Sequence, residues 1–333
     1  MPDRRRFQLQ LLALAAAATG LPRAAFAQQA GDFPSRPVRL VVPFAAGGGP
    51  DLLARATAVR MAPALGKGAV MFVENVVGAG GIVAAQNVAR MAPDGYNLLM
   101  GASSHIVQKA LQPSVKFDPQ KDFAPISAIG LAPSILVVAA DSPYRSVDDL
   151  VAAARKSPGT LNYASGGIGS AAHLCAAALS LHTGIDALHV PYKGSVEIIP
   201  ALLSRSVHFA FPIASTAAPH VQSGKVHALA VTSAKRLAAF PQVPTLRELL
   251  GSEDLVLDAW FGLWAPAGTP EGTVQALFKA VHRAFDDPAL RKETEDAGTV
   301  VSLSASPQAF ATFIQAETAK LEKLVKATQG SIR

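Results

Sequence analysis

Short apolar runs alternate along nearly the whole chain with stretches whose apolar positions recur every three to four residues. The runs read as strands and the recurring positions as one face of a helix. This alternation predicts an α/β fold of mainly parallel sheets with crossover helices. Strands are predicted at 38–42, 70–74, 97–101, 135–139, 161–165, 188–192, 207–211 and 228–232. Helices are predicted at 51–65, 82–91, 147–156 and 196–203, after residue 170, from Thr269-Pro270, and from Ser306-Pro307. Ser146 and Asp149 read as a capping box, and Ser103 or Ser104 as an N-cap. A change of unit is expected near Gly130, and a second near Leu255, where both tryptophans lie close by.

Between a predicted strand and a predicted helix lies Phe44-Ala45-Ala46-Gly47-Gly48-Gly49-Pro50-Asp51. Pro50 suits a first helical position, where its missing N–H costs nothing. Glycines let a ligand approach the backbone, and the helix start adds unpaired donors and partial positive charge. A carboxylate or phosphate fits such a place. An ordinary strand-to-helix turn without ligand has the same pattern. Ser103-Ser104-His105 is a second polar turn of this kind, and Ser165-Gly166-Gly167-Ile168-Gly169-Ser170 a third. If the first and third lie in different lobes, they face each other over a cleft. A site made of N–H groups and hydroxyls suits a small carboxylate. The candidate ligand-binding residues are therefore Phe44, Ala45, Ala46, Gly47, Gly48, Asp51, Ser103, Ser104, His105, Ser165, Gly166, Gly169 and Ser170. Asp51 can take a ligand hydroxyl or amine, or brace its own loop.

Other chemistries find less support. Gly167-Ile168-Gly169-Ser170-Ala171-Ala172 matches G-x-G-x-x-A, so an NAD(P)-dependent oxidoreductase is the rival reading. Its ribose acid would be Asp186, which precedes a predicted strand instead of ending one. His105 beside Ser103 and Ser104 can be read as a base with a nucleophile, but no acid partner is assignable. No H-E-x-x-H or paired Cys/His spacing marks a metal site, and no G-x-S-x-G elbow marks a serine hydrolase. Cys175, the single cysteine, forms no internal disulfide and sits in an apolar helical run, as a buried thiol does.

The chain opens with Arg4-Arg5-Arg6-Phe7, a short apolar run and Ala25-Phe26-Ala27. That order describes a secretory signal peptide, expected to be cleaved after Ala27 in the periplasm, and Arg4-Arg5-Arg6-Phe7 also fits a twin-arginine signal. The apolar run is too short to span a bilayer, so no membrane embedding is expected. Without residues 1–27, which hold four arginines and one aspartate, the excess of 30 basic over 24 acidic residues falls to 26 over 23. No basic cluster argues for nucleic acid.

Taken together, several stretches resemble the Bug family, the periplasmic solute receptors of tripartite tricarboxylate transporters. They include Pro34-Ser35-Arg36-Pro37-Val38-Arg39, Val41-Val42-Pro43-Phe44-Ala45-Ala46-Gly47-Gly48-Gly49, Ala92-Pro93-Asp94-Gly95-Tyr96, Val190-Pro191-Tyr192-Lys193-Gly194 and Phe261-Gly262-Leu263-Trp264-Ala265-Pro266. The resemblance implies a two-lobed periplasmic-binding-protein fold, with lobes at 33–130 plus 255–333 and at 131–254. It implies a non-enzymatic, monomeric receptor without cofactor that passes a small organic acid to a membrane permease. It places the ligand carboxylate between residues 45–49 and 165–170, with the turn at 103–105 beside them. Many relatives carry Phe-Asp where this chain has Phe211-Pro212, so Pro212 joins the site, and a plain mono- or dicarboxylate is expected over an amino acid.

Overall fold

The computed structural model describes residues 33–328; the expected signal peptide at 1–27 lies outside the described residues. The first elements are β1 (Val38–Val42), α1 (Gly49–Leu65), β2 (Met71–Asn75), a 3-10 turn (Ala79–Gly81), α2 (Ile82–Ala89), β3 (Asn97–Ala102), α3 (Ser103–Leu111) and β4 (Phe123–Ala132). There follow β5 (Ile135–Ala139), α4 (Val147–Lys156), β6 (Leu161–Ser165), α5 (Ala171–Thr183) and β7 (Ala187–Pro191). Next come a 3-10 turn (Ser195–Glu197), α6 (Ile198–Leu203), β8 (Phe209–Ala210), α7 (Ala214–Gln222), β9 (Val226–Val231) and α8 (Leu246–Leu250). The chain continues through β10 (Ala259–Pro266), α9 (Glu271–Phe285), α10 (Pro288–Asp296), β11 (Val300–Val301) and α11 (Pro307–Thr328).

Two sheets form, ordered β11-β4-β10-β3-β1-β2 and β7-β6-β8-β5-β9. Strand β1 shows why it is central. Val38, Leu40, Val41 and Val42 are buried, as in a strand covered on both faces. Arg39 alone turns outward, where its guanidinium bonds Asn97 Oδ1 at 3.0 Å and Glu74 Oε2 at 2.9 Å on the flanking strands.

The expectation of mainly parallel sheets holds for one half of each. Strands β1, β2 and β3 are parallel, as are β6, β7 and β8, whereas β10 and β4 in one sheet and β5 and β9 in the other pair antiparallel. Apart from the two-residue β11, which pairs antiparallel with β4, the antiparallel strands are those next to the crossovers. β4 leaves the first sheet and β5 enters the second after two residues; β9 leaves the second and β10 returns. A strand handed from one sheet to the other enters from the opposite end. The crossovers are tied together: Ser134 N–H donates to Thr232 Oγ1 (2.9 Å), Thr232 N–H to Ser134 O (3.0 Å) and Leu257 N–H to Thr232 O (3.2 Å).

Ser146 caps α4 by accepting the Asp149 N–H at 3.1 Å, as expected. The expected cap at Ser103 or Ser104 does not form: both lie inside α3, whose N-cap is Ala102. The expected strand at 207–211 shrinks to Phe209–Ala210, and the expected helix at 196–203 starts as a 3-10 turn. Helices α7, α8 and α10 were not predicted; α10 buries only Leu290 and Thr294, too few to show a period.

Gly101 and Gly262 are partners across β3 and β10, and aromatic rings lie over both. A Cβ on Gly101 would sit 2.6 Å from the Trp264 ring. Gly101→Ala is expected to cost about 1–3 kcal/mol through overpacking, read as a lower urea midpoint at unchanged slope.

Candidate functional site

All six parallel strands end at one cavity, part of it open to solvent. After β1 come Pro43, Phe44 and Ala45; after β2, Gly78, Gly80 and Gly81; after β3, Ser103 and Ser104. The second sheet contributes Gly166 and Ser170 after β6, Lys193, Gly194 and Ser195 after β7, and Phe211, Pro212 and Ile213 after β8. Strand carboxyl ends are where open α/β sheets take ligands, because crossover helices begin there.

Helices α1, α2, α3, α5 and α7 all start at this wall. Their first-turn N–H groups have no intrahelical acceptor and carry the positive end of each helix dipole. In α1, α2, α3 and α7 no side chain caps them. Among the described residues, Lys193 is the one charged residue that lines the cavity, and no carboxylate lines it. Apolar walls come from Phe44, Ile198, Phe211 and Phe261, with Phe44 edge-on to Phe261 at 6.0 Å. Such a chamber favours a small anion with an apolar middle.

Of the residues predicted from sequence, Phe44, Ala45, Ser103, Ser104, Gly166, Ser170 and Pro212 line the cavity. Ala46, Gly47, Gly48, Asp51, His105, Ser165 and Gly169 do not. Gly47, at φ +81°, spends its N–H on Asp51 Oδ2 at 2.9 Å. Asp51, 2% exposed, also takes Arg55 Nε at 3.0 Å and Asn75 Nδ2 at 2.8 Å. Burial works against its charge, yet the bonds from Arg55, Gly47 and Asn75 hold its carboxyl below the usual carboxylate range. Asp51 thus braces the first loop from behind. Ala46 and Gly48 serve as the turn it braces. Asp51→Ala strands the Gly47 donor and leaves the Asn75 amide only its bond to Phe44 O; a loss of about 1–3 kcal/mol in urea unfolding is expected.

His105 points into the core. Its ring stacks on Phe117 (5.4 Å) and meets Phe123 (4.7 Å) and Trp264 (5.3 Å) edge-on. Burial drives its pKa to about 3, which removes it as a base beside Ser103 and Ser104. Ser165 Oγ accepts the Gly167 N–H at 3.1 Å and lies 2.6 Å from His189 Nε2. Gly169 N–H donates to His173 Nδ1 at 3.0 Å. His173 and His189 stack at 4.2 Å behind the loop. Burial, with the neighbouring His189, holds His173 near pKa 3.

The G-x-G-x-x-A loop therefore has both glycine donors committed to its own lobe. Asp186 lies at the other end of β7, where its carbonyl takes the Gly159 N–H at 3.1 Å. Cys175 is buried, and burial pushes its thiol up to about 12. Among the described residues no cluster of ligating side chains could hold a metal, and no helix is long and apolar enough to cross a membrane.

Sequence reasoning missed Lys193, Gly194 and Ser195, the Gly78–Gly81 turn, and Phe211 and Phe261 as cavity walls. The first group had a signal, since it follows a predicted strand as the other loops do. The aromatic walls had none.

Two sheets joined by two crossovers, with a cavity at their facing strand ends, define a solute-binding protein of the two-lobed periplasmic-binding-protein fold. The chain belongs to the tripartite tricarboxylate transporter receptor family, whose profile matches residues 53–329. This is a family of solute-binding receptors, not of enzymes. BugT of Bordetella pertussis is 33% identical over 303 residues, 90% of this chain and 92% of BugT. A solved R. palustris protein with adipate superposes at TM-score 0.84 with 32% identity, over 90% of this chain and 99% of that one. MatC from Rhodopseudomonas palustris with bound malate superposes at 0.82 with 34% identity, over 88% of this chain and 100% of MatC.

Proposed function

We propose that this chain is exported to the periplasm, is cleaved after Ala27, and works as a monomeric receptor for a small mono- or dicarboxylate. Of the described residues, 33–130 with those from 255 onward form one lobe and 131–254 the other; membership of the strands in the two sheets supports this division. The ligand enters the open cleft, hinge motion at the crossovers closes it, and a tripartite tricarboxylate-type permease receives it.

The single observation that carries the reading is the wall of helix starts with Lys193 and, among the described residues, no acidic one. One carboxylate sits between the first turns of α3 and α5, on N–H groups and the hydroxyls of Ser103, Ser104 and Ser170. Lys193 receives the second carboxylate of a diacid. Hydrogen bonds to a charged group strengthen when closure removes water. Relatives that bind adipate and malate bracket the ligand size. Pro212 offers no acid to an ammonium group, which disfavours amino acids.

The test is thermal denaturation and calorimetry of the mature chain with a panel of organic acids, amino acids and NADH. A true ligand at a hundredfold its Kd should stabilise by about 2.7 kcal/mol. A chain that responds to NADH alone, or to no carboxylate, would refute the proposal.

A further inference from the structure

Gln108 lies on α3 and is only 1% exposed. Its Nε2 donates to Gly80 O at 3.1 Å, in the turn after β2, and to Ile168 O at 3.4 Å, in the loop after β6. These turns line opposite sides of the cavity. Among the described residues, no other side-chain hydrogen bond joins the two sheets' halves outside the crossover segments at 133–134 and 232–258.

Glycines make the meeting feasible. A Cβ on Gly80 would sit 3.0 Å from both Ile168 O and Gln108 Nε2. A Cβ on Gly169 would sit 2.6 Å from Leu111 Cδ1 and 3.1 Å from Gln108 Nε2, and Gly167 faces Gly80 directly. All three glycines have positive φ, of +64°, +113° and +79° for Gly80, Gly167 and Gly169.

We infer that Gln108 is a positioning residue that latches the two cavity loops together and sets the balance between open and closed cleft, with or without ligand. An amide suits this place because both acceptors are carbonyl oxygens, which a carboxylate would repel. The inference rests on the reading of the cavity as one that closes by hinge motion. The nearest ionisable side chains on α3 are His105, held neutral by burial, and Lys109, paired with Asp118 at 3.4 Å. On the facing loop the nearest is His173, also held neutral by burial.

The test uses the ligand-free mature chain with spin labels at Lys67→Cys and Lys225→Cys, one on each half; the native Cys175 is buried and escapes labelling. Distance distributions are measured for the unmodified, Gln108→Leu and Gln108→Glu chains at pH 8 and pH 5. Loss of one ordinary hydrogen bond shifts the open-to-closed ratio by about fivefold in Gln108→Leu at both pH values. Gln108→Glu opens further at pH 8, where it is charged. At pH 5 it returns toward the unmodified chain, because burial against two carbonyl oxygens raises the acid above the usual carboxylate range and the protonated form again donates. Compaction that tracks the charge of residue 108 is not what a merely structural glutamine would produce. Either variant keeping the unmodified distribution at pH 8 overturns the inference. Should Gln108→Leu fail to fold, the pH pair of Gln108→Glu decides alone. If no organic acid binds the unmodified chain, the proposed function falls, while these distances still decide the role of Gln108.

Discussion

Ser104→Asp is expected to weaken organic-acid binding by roughly a hundredfold while leaving the fold intact. Ser104 is the second residue of α3 and lines the cavity. A carboxylate in a first helical turn is favoured by the dipole, so the melting temperature of the ligand-free chain should hold or rise slightly. The same carboxylate meets the incoming ligand at close range. At about 5 Å and an effective dielectric near 20, the repulsion is about 3 kcal/mol, or roughly a hundredfold in Kd. Ser104→Ala, which removes a hydroxyl but adds no charge, should cost about tenfold. Calorimetric titration of the three chains with the best ligand checks the order. Equal affinities in all three would place the ligand carboxylate elsewhere.

Acid should unfold this protein steeply, and buried histidines drive the slope: His105 and His173 most strongly, with a smaller share from half-buried His189, which burial lowers to about 4. His105 and His173 have pKa values of about 3 in the native chain, lowered from 6.5 by burial. Above pH 6.5 neither state holds a proton on them, and their full contribution to stability is present. As pH falls from 6.5 toward 3, only the unfolded chain takes the proton. Each histidine then removes about 1.4 kcal/mol per pH unit, or about 2 kcal/mol by pH 5. Asp258 works the other way, since burial raises its carboxyl to about 6. The native chain binds that proton more readily below pH 6, which returns about 1.4 kcal/mol by pH 5. The two imidazoles outweigh the one carboxyl. Urea midpoints should therefore drop between pH 7.5 and pH 5, and His105→Leu should flatten the drop. A midpoint independent of pH would mean that these rings can be protonated in the folded chain.

The buried histidines also show the limit of sequence reading. His105 follows two serines at the end of a strand, which is where a base would stand. Rotation along α3 decides otherwise: it turns Ser103 and Ser104 toward the cavity and His105 toward Phe117, Phe123 and Trp264. Asp51 is similar. Its position at a helix start fitted ligand contact, but Asn75 and Arg55, far apart in sequence, claim its oxygens. Gly47 and Gly169 were expected to give N–H groups to the ligand. Each gives its N–H to a side chain four residues on, and so shapes the loop without touching the cavity.

The alternation of apolar runs and helical periods was enough to determine the class of fold, the places where strands turn into helices, and the likeness to a receptor family. Those features depend on neighbours along the chain, which a sequence displays. Which residues of each turn face the ligand, which strands reverse on crossing, and how Gln108 comes to join two loops were decided only in three dimensions. Each depends on contacts between segments distant along the chain, where close approach of glycines and competition for every buried donor choose one partner among several.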